Sequence, residues 1–269
     1  MRLLLDKYRL NLLSTPRENT SIGDVYITDR DGQQHASPPG NIKHLLDPPF
    51  DFSRIRLVTE EAMADVSGTI SNNTSLDFGF KFLEGFLNIL VAGVFGTDIK
   101  AALQSENVQK LKFQFSETTR EYVEPNDFGY KLDGYTVNDK GGLFDPKSKY
   151  FLVTSVFRSP SIGIDAERTN ERVIDVATKI LQSADISSKV SYSKSEQGMI
   201  VFTGKIKLGY AIQLFELEYD SDTKRVRMKP IKEYYRVLEE GKEQERTRQV
   251  LKPAFIGNEE ERDTPIIID

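Results

Sequence analysis

Apolar side chains recur with two distinct periods along this chain. In KLKFQFS, Leu111, Phe113 and Phe115 alternate with Lys110, Lys112 and Gln114. A period of two puts the apolar residues on one face of a strand and the polar ones on the other. Ile200, Phe202, Ile206 and Leu208 alternate in the same way with Val201, Thr203, Lys205 and Lys207. They belong to KVSYSKSEQGMIVFTGKIKLGYAIQLFELEYDSDTKRVRMKPI, which reads as a long meander turning at Gln197-Gly198 and at Asp220-Ser221-Asp222. YFLVTSVFRSPSIGID reads as a strand pair around Ser159-Pro160, and DVYITDRDGQQ as a strand running into a turn at Asp31-Gly32.

Helical spacing is found in three places. Leu4, Tyr8 and Leu12 stand four residues apart, which predicts a short amphipathic helix over Arg2–Leu13, ended by Pro16. In FKFLEGFLNILVAGVFGTDI, Phe82, Leu83, Phe86, Leu87, Ile89, Leu90 and Val94 fill most of a helix circumference, leaving Glu84 and Asn88 on one stripe. A helix apolar nearly all round must be covered. Its uncharged part, between Glu84 and Asp98, is shorter than the ~20 residues a membrane-crossing helix needs. Five such side chains (Phe82, Phe86, Leu87, Leu90, Val94) are expected in the core. The third helix is predicted over Asn170–Leu181, with Asn170 as its cap and Val173, Val176, Ala177 and Ile180 on one face. ADVSGTISNNTS, before the apolar helix, reads as a thinly buried extended segment. The sum is α+β: a twisted, mostly antiparallel sheet with packed helices.

Composition narrows the chemistry. The chain has 269 residues, enough to bury a sizeable core, and a net charge of −5, which argues against a broad nucleic-acid footprint. With no cysteine, disulfides, thiolate nucleophiles and sulfur-rich metal sites are excluded. The two histidines, His35 and His44, lie in a Pro/Gly-rich loop, where turn roles are commoner than metal binding. MRLLLDKYRL carries Asp6 and no small-residue cleavage site, so it does not read as a signal peptide and a cytosolic protein is expected.

No enzyme constellation stands out. SYSK fits S-x-x-K at Ser191–Lys194 but falls in a predicted strand, whereas that pair works on a helix. YDSDTKR lacks the Gly and bidentate Glu of a calcium loop, and a hairpin turn accounts for it. Glu117, Glu121 and Glu124 lie in a solvated turn before Pro125. No catalytic residue, cofactor or metal is expected.

Taken in order, these segments resemble the bacterial gasdermins over most of the chain. The resemblance is carried by LLSTPRENTSIGDVY after the N-terminal segment, by ADVSGTISNNTS leading into the apolar helix, and by NVQKLKFQFSETTREYVEPNDFGYKL with its phenylalanine-bearing strand and V-x-P helix start. YFLVTSVFRSPSIGIDAE and VSYSKSEQGMIVFTGKIKLGYAIQLFELEYD complete it. Order, spacing and length make the case together rather than any one motif.

The resemblance implies a gasdermin-like pore-forming core at 1–237, a charged protease-sensitive linker at 238–249 and a short autoinhibitory tail at 250–269. A partner protease is expected to cut at Arg246 or Arg248 if trypsin-like, with a caspase-like enzyme or an apolar specificity near Val250 or Leu251 equally open. Phe255 and Ile256 are the expected tail anchors, with Ile266–Ile268 a second patch. The core is then expected to leave the cytoplasm, meet lipids of the inner membrane and assemble with copies of itself into a β-barrel pore that kills an infected cell. Ile200, Phe202, Ile206 and Leu208 are the expected lipid-facing residues of a hairpin over Ser187–Leu217, with Arg54–Phe80 the weaker second hairpin. Family members commonly carry an acylated cysteine near the N-terminus; Leu3, Leu4 and Leu5 stand there in this chain. A soluble lipid- or ligand-binding β-rich protein, or a non-enzymatic interaction module, would share the alternation but need no detachable tail.

Overall fold

In chain order the strands are β1 (Asn11–Arg17), β2 (Asp24–Thr28), β3 (Ser37–Asn41), β4 (Leu46–Asp47), β5 (Leu57–Ala62), β6 (Val66–Ile70), β7 (Lys110–Ser116) and β8 (Thr119–Val123). They continue as β9 (Thr136–Val137), β10 (Lys149–Arg168), β11 (Glu171–Arg172), β12 (Ser191–Lys194), β13 (Ile200–Asp220), β14 (Arg225–Met228), β15 (Ile231–Glu239) and β16 (Lys242–Val250). Among the described residues the α-helices are α1 (Ile42–Leu45), α2 (Asn73–Leu90) and α3 (Pro125–Leu132). This computed structural model describes residues 10–28, 37–70, 73–90, 104, 107–138, 144–168, 171–172, 191–195, 199–239 and 242–254.

Fourteen of these strands form one sheet around the antiparallel pair β10 and β13. One edge of β10 carries β13; the other carries β2, β8 and β7 in succession. The free edge of β13 is covered in turn by β12 at Ile200–Thr203, β1 at Gly209–Ile212 and β14 at Leu217–Asp220. The architecture is the expected mostly antiparallel sheet with a few helices.

Ser159-Pro160 is not a turn. β10 runs straight through it for 20 residues, and the reason lies in its neighbours. On one edge the partner changes here, from β8 at Arg158↔Thr119 to β7 at Ser161↔Ser116. On the other edge the register jumps from Ser161↔Thr203 to Ser159↔Leu208, so β13 bulges over residues 204–207. Pro160 has no N–H to offer a ladder, and it falls where neither ladder asks for one. The Ser159 hydroxyl lies 2.6 Å from Ser116 O and accepts Ser161 N–H at 3.0 Å.

Two core clusters lie on either side of this junction. The first is roofed by α2. Phe82, Leu83, Phe86 and Leu87 are fully buried and Leu90 nearly so, over Leu111, Phe113 and Phe115 of β7 and Phe202 and Leu208 of β13. Phe82 meets Phe115 edge-on at 5.8 Å and Phe115 stacks on Tyr210 at 4.0 Å. Burying Phe82, Phe86, Leu87 and Leu90 is worth about 6–12 kcal/mol of transfer free energy before entropy is subtracted. That is why so apolar a run is tolerated. Val94 lies outside the described residues. The second cluster joins α1, α3, β2 and β14 to the other half of β10 and β13.

Three local expectations are corrected. Asn11–Arg17 is strand, not the end of a helix: Leu12 enters the first cluster and Leu13 the second, the opposite-face alternation of a strand. Pro16 sits in β1 where its register with β13 is interrupted, between Leu12 and Arg17. Glu171–Arg172 pairs with Arg168 and Glu167 as an antiparallel strand instead of opening a helix. Asn73, Thr74 and Ser75, read as extended, form the first turn of α2. The rest of the predicted Asn170–Leu181 helix, like the N-terminal one before residue 10, lies outside the described residues.

Candidate functional site

The alternating residues of β13 come together on one face. Phe202 and Leu208 are fully buried, and Ile200 and Ile206 pack half-buried against the same cluster beneath α2. Leu90, the last residue of α2, sits on Gly204: a Cβ built there would lie 2.6 Å from Leu90 Cγ and 3.0 Å from its Cδ2. Only glycine lets the helix end approach so closely. The face continues across β10 and β7 through Ile162, Ile164, Ala166, Leu111, Phe113 and Phe115, and onto β6 through Val66 and Ile70. One apolar surface thus spans four strands, and α2 covers it.

The reverse of the same strands is polar. Lys112 lies opposite Asp165 and Lys110 opposite Glu167 in the β7–β10 ladder. Lys110 Nζ reaches Glu167 at 3.0 Å, Lys112 Nζ reaches Asp165 at 3.4 Å, and Lys112 also bonds Glu167. Thr203 bonds the Ser161 hydroxyl at 3.2 Å, and Lys207 pairs with Glu60 of β5 at 3.0 Å. Lys205 is exposed.

The chain after the sheet departs from the expected open linker. Ile231–Glu239 and Lys242–Val250 form an antiparallel strand pair, β15–β16, paired from Ile231↔Val250 to Glu239↔Lys242. The expected core–linker boundary at 237/238 therefore falls inside β15. The register sets Glu233 opposite Arg248, Arg236 opposite Glu245 and Glu239 opposite Lys242. Arg246 lies within β16, Arg248 is exposed, and Val250 and Leu251 are half-buried.

Beyond the hairpin the chain returns to the sheet. Leu251 packs against the second core cluster, its Cδ1 3.3 Å from where Gly129 of α3 would carry a Cβ. Ala254 N–H donates to Leu214 O at 2.7 Å, and Asn11 Nδ2 donates to Ala254 O at 3.1 Å. Ala254 thereby fills the interval on the edge of β13 between β1 and β14. Asn11 is only 3% exposed, so its amide serves an internal contact rather than solvent. Phe255, Ile256 and Ile266–Ile268, the expected anchors, lie outside the described residues, as do Leu3, Leu4 and Leu5.

Sequence reasoning brought Ile200, Phe202, Ile206 and Leu208 to one face but missed Gly204, Asn11 and Ala254. A glycine in the middle of an alternating run was the available signal for Gly204. Nothing in the sequence marks Asn11 or Ala254. Among the described residues no helix is long and apolar enough to cross a membrane, and no group of His, Asp and Glu could hold a metal ion.

The comparisons with known proteins fit this geometry. A comparison with curated proteins finds no match. Among solved structures, the chain is similar to that of a bacterial gasdermin from Bradyrhizobium tropiciagri, with a TM-score of 0.60 at 14% identity, over 99% of this chain and 94% of that one. The family model for the Bacterial Gasdermin Family matches residues 13–225, from β1 into β14. The chain belongs to the bacterial gasdermins, a family of pore-forming cell-death effectors rather than enzymes.

Proposed function

We propose that this protein is an autoinhibited pore former, released by proteolytic removal of its C-terminal segment and assembling with copies of itself into a β-barrel in the cell's inner membrane. The observation that carries the reading is the two-faced sheet β6–β7–β10–β13, apolar beneath α2 and polar behind. Strands enter lipid only as a closed ring, because open backbone edges cannot be left unsatisfied there. Each needs about 9–11 residues with one apolar and one polar face, and β10 and β13, at 20 and 21 residues, are long enough. In the stored state α2 occupies the place lipid takes in the pore.

The tail supplies the restraint. Held by Leu251 and Ala254 against α3, β1 and β13, it ties the C-terminal end to the interval between β1 and β14. A cut near Val250 or Leu251, by a protease of apolar specificity, separates tail from hairpin directly. A cut at Arg246 by a trypsin-like enzyme leaves residues 247–250 still paired to β15. The cell that opens such a pore dies, and death of an infected cell is the antiphage role the reading assigns.

The test is dye release from liposomes by the full-length protein carrying a site-specific protease sequence after Val250. Leakage is expected after cutting and not before. Among cut variants, Phe202→Asp places a charge on the lipid face, costing up to about 2–4 kcal/mol at the bilayer midplane. It is expected to abolish leakage, while Thr203→Asp on the reverse face is tolerated. No leakage after cutting, or equal leakage from both variants, overturns the reading.

A further inference from the structure

The segment that joins β16 to the tail contact is short and chemically uniform. Val250, Leu251, Lys252, Pro253 and Ala254 are half-buried, and Ala254 N–H is bonded to Leu214 O at 2.7 Å. Between Val250 and Asn258 the one charged residue is Lys252, and Pro253 follows it directly. The next basic residue along the chain is Arg262, beyond Ala254, so a cut there leaves Leu251 and Ala254 joined to the rest of the protein. The two before it, Arg246 and Arg248, lie within β16, upstream of the pair Val250↔Ile231.

We propose that Pro253 shields the latch from proteases that select a charged residue before the scissile bond, so that the enzyme releasing this protein selects an apolar one, Val250 or Leu251. The inference rests on the pore-forming reading above, in which loss of the tail opens the switch. In a serine or cysteine protease, the histidine that takes the nucleophile's proton hands it to the leaving nitrogen. In the Lys252–Pro253 bond that nitrogen has no hydrogen, carries the pyrrolidine ring and sits at a fixed φ. The ring stands where the proton is delivered, so the only Lys or Arg bond within the latch resists hydrolysis. A protease selecting Asp or Glu finds neither between Val250 and Asn258. The Val250–Leu251 and Leu251–Lys252 bonds are ordinary secondary amides. Hydrolysis of either consumes one water and leaves a carboxylate on the core and an ammonium on the tail. It also takes the tail out of the β15–β16 register, which ends at Val250.

The test is brief trypsin treatment of the full-length protein on dye-loaded liposomes of phosphatidylethanolamine and phosphatidylglycerol, with the cut bonds read by mass spectrometry. The protein carrying a site-specific protease sequence after Val250, cut by that protease, is the reference for release. Trypsin is expected to cut the parent at Arg246, Arg248 or Arg262 and not at Lys252. Pro253→Ala gains the cut at Lys252. Its leakage under trypsin is expected to be about tenfold faster, because the freed fragment then lacks Leu251 and the pairs Gln249↔Lys232 and Val250↔Ile231 that a cut at Arg248 leaves to it. Lys252→Gln with Pro253→Ala returns to the parent's rate, which separates a lost shield from a loosened latch. A parent cut at Lys252, a Pro253→Ala protein that stays uncut there, or a double variant leaking as fast as Pro253→Ala overturns the inference. So does a Pro253→Ala protein cut at Lys252 that leaks no faster than the trypsin-treated parent while the reference leaks. If Lys252 is cut in Pro253→Ala alone and neither that protein nor the reference leaks, the shield stands and the pore-forming reading falls.

Discussion

Gly204→Ala tests how α2 is seated. The new Cβ would stand 2.6 Å from Leu90 Cγ and 3.2 Å from its Cδ1, against an ordinary van der Waals contact beyond 3.4 Å. Leu90, 4% exposed, must therefore shift outward, and with it the end of the helix. Overpacking of this kind costs about 1–3 kcal/mol. Replacing a strand glycine by alanine returns roughly 0.5–1 kcal/mol through the unfolded chain. The net expectation is a loss of about 1–2 kcal/mol in urea unfolding. Leu90→Ala alone removes a buried side chain and costs about 2–5 kcal/mol. In the double variant the smaller side chain at 90 makes room for the one at 204, so the pair costs at least about 1 kcal/mol less than the sum of the singles. The same series, uncut, is read by dye release: Gly204→Ala leaks more than the parent. Additivity within about 0.5 kcal/mol, or a Gly204→Ala protein more stable than its parent, refutes the seating argument.

Other expectations follow from the same contacts. Leu90→Cys with Gly204→Cys sets two cysteines at this contact, where a Cβ at 204 lies 2.6 Å from Leu90 Cγ, in a chain with no other cysteine. The oxidised, cut protein is expected to stay silent in dye release and to leak once reduced; leakage under oxidising conditions shows that α2 need not leave the sheet. Ala254→Pro deletes the N–H that Leu214 O accepts, and a buried carbonyl left unpaired costs about 1–3 kcal/mol. Limited proteolysis at residues 251–254 should accelerate in that variant and not in Ala254→Ser; equal rates count against the latch. The Tyr26 hydroxyl is pushed up to about 12 from 10.0, chiefly by burial. The unfolded chain loses this proton first, so stability is expected to fall between about pH 10 and 12, and Tyr26→Phe flattens that slope in urea titrations across the window.

The sheet was legible where one face is buried and the other wet. β7 reads as strictly alternating in sequence and is strictly alternating in burial. The burial of Phe82, Phe86, Leu87 and Leu90 followed from their spacing, and the start of α3 at Pro125 from the family resemblance. Where both faces are buried the period disappears. β10 is covered on both sides from Tyr150 to Phe157, so its length and its passage through Pro160 are set by neighbours far away in sequence. β1 misled because Leu4, Tyr8 and Leu12 share a helical spacing while Leu12 and Leu13 serve different cores. The β15–β16 register sets Glu233, Arg236 and Glu239 opposite Arg248, Glu245 and Lys242. Read as a charged run alone, it looked like a linker. The candidate face was recovered as a set of residues, whereas its cover at Gly204 and the tail contact at Ala254 depend on tertiary approach that no local pattern encodes.

If release proceeds as proposed, the β15–β16 pair that precedes the tail also gives the switch tolerance to error. Stray proteases nick exposed, polar stretches first, and a lethal effector that fired on any nick would be a hazard to its own cell. Here a break between β15 and β16 severs the covalent chain but not the association, because nine register pairs still hold the downstream strand and the tail it carries. On the proposed mechanism of release, only a cut beyond those pairs, close to Leu251, converts a broken bond into a lost latch. A switch released in the proposed way would discriminate between damage and signal by where along the chain the bond is broken.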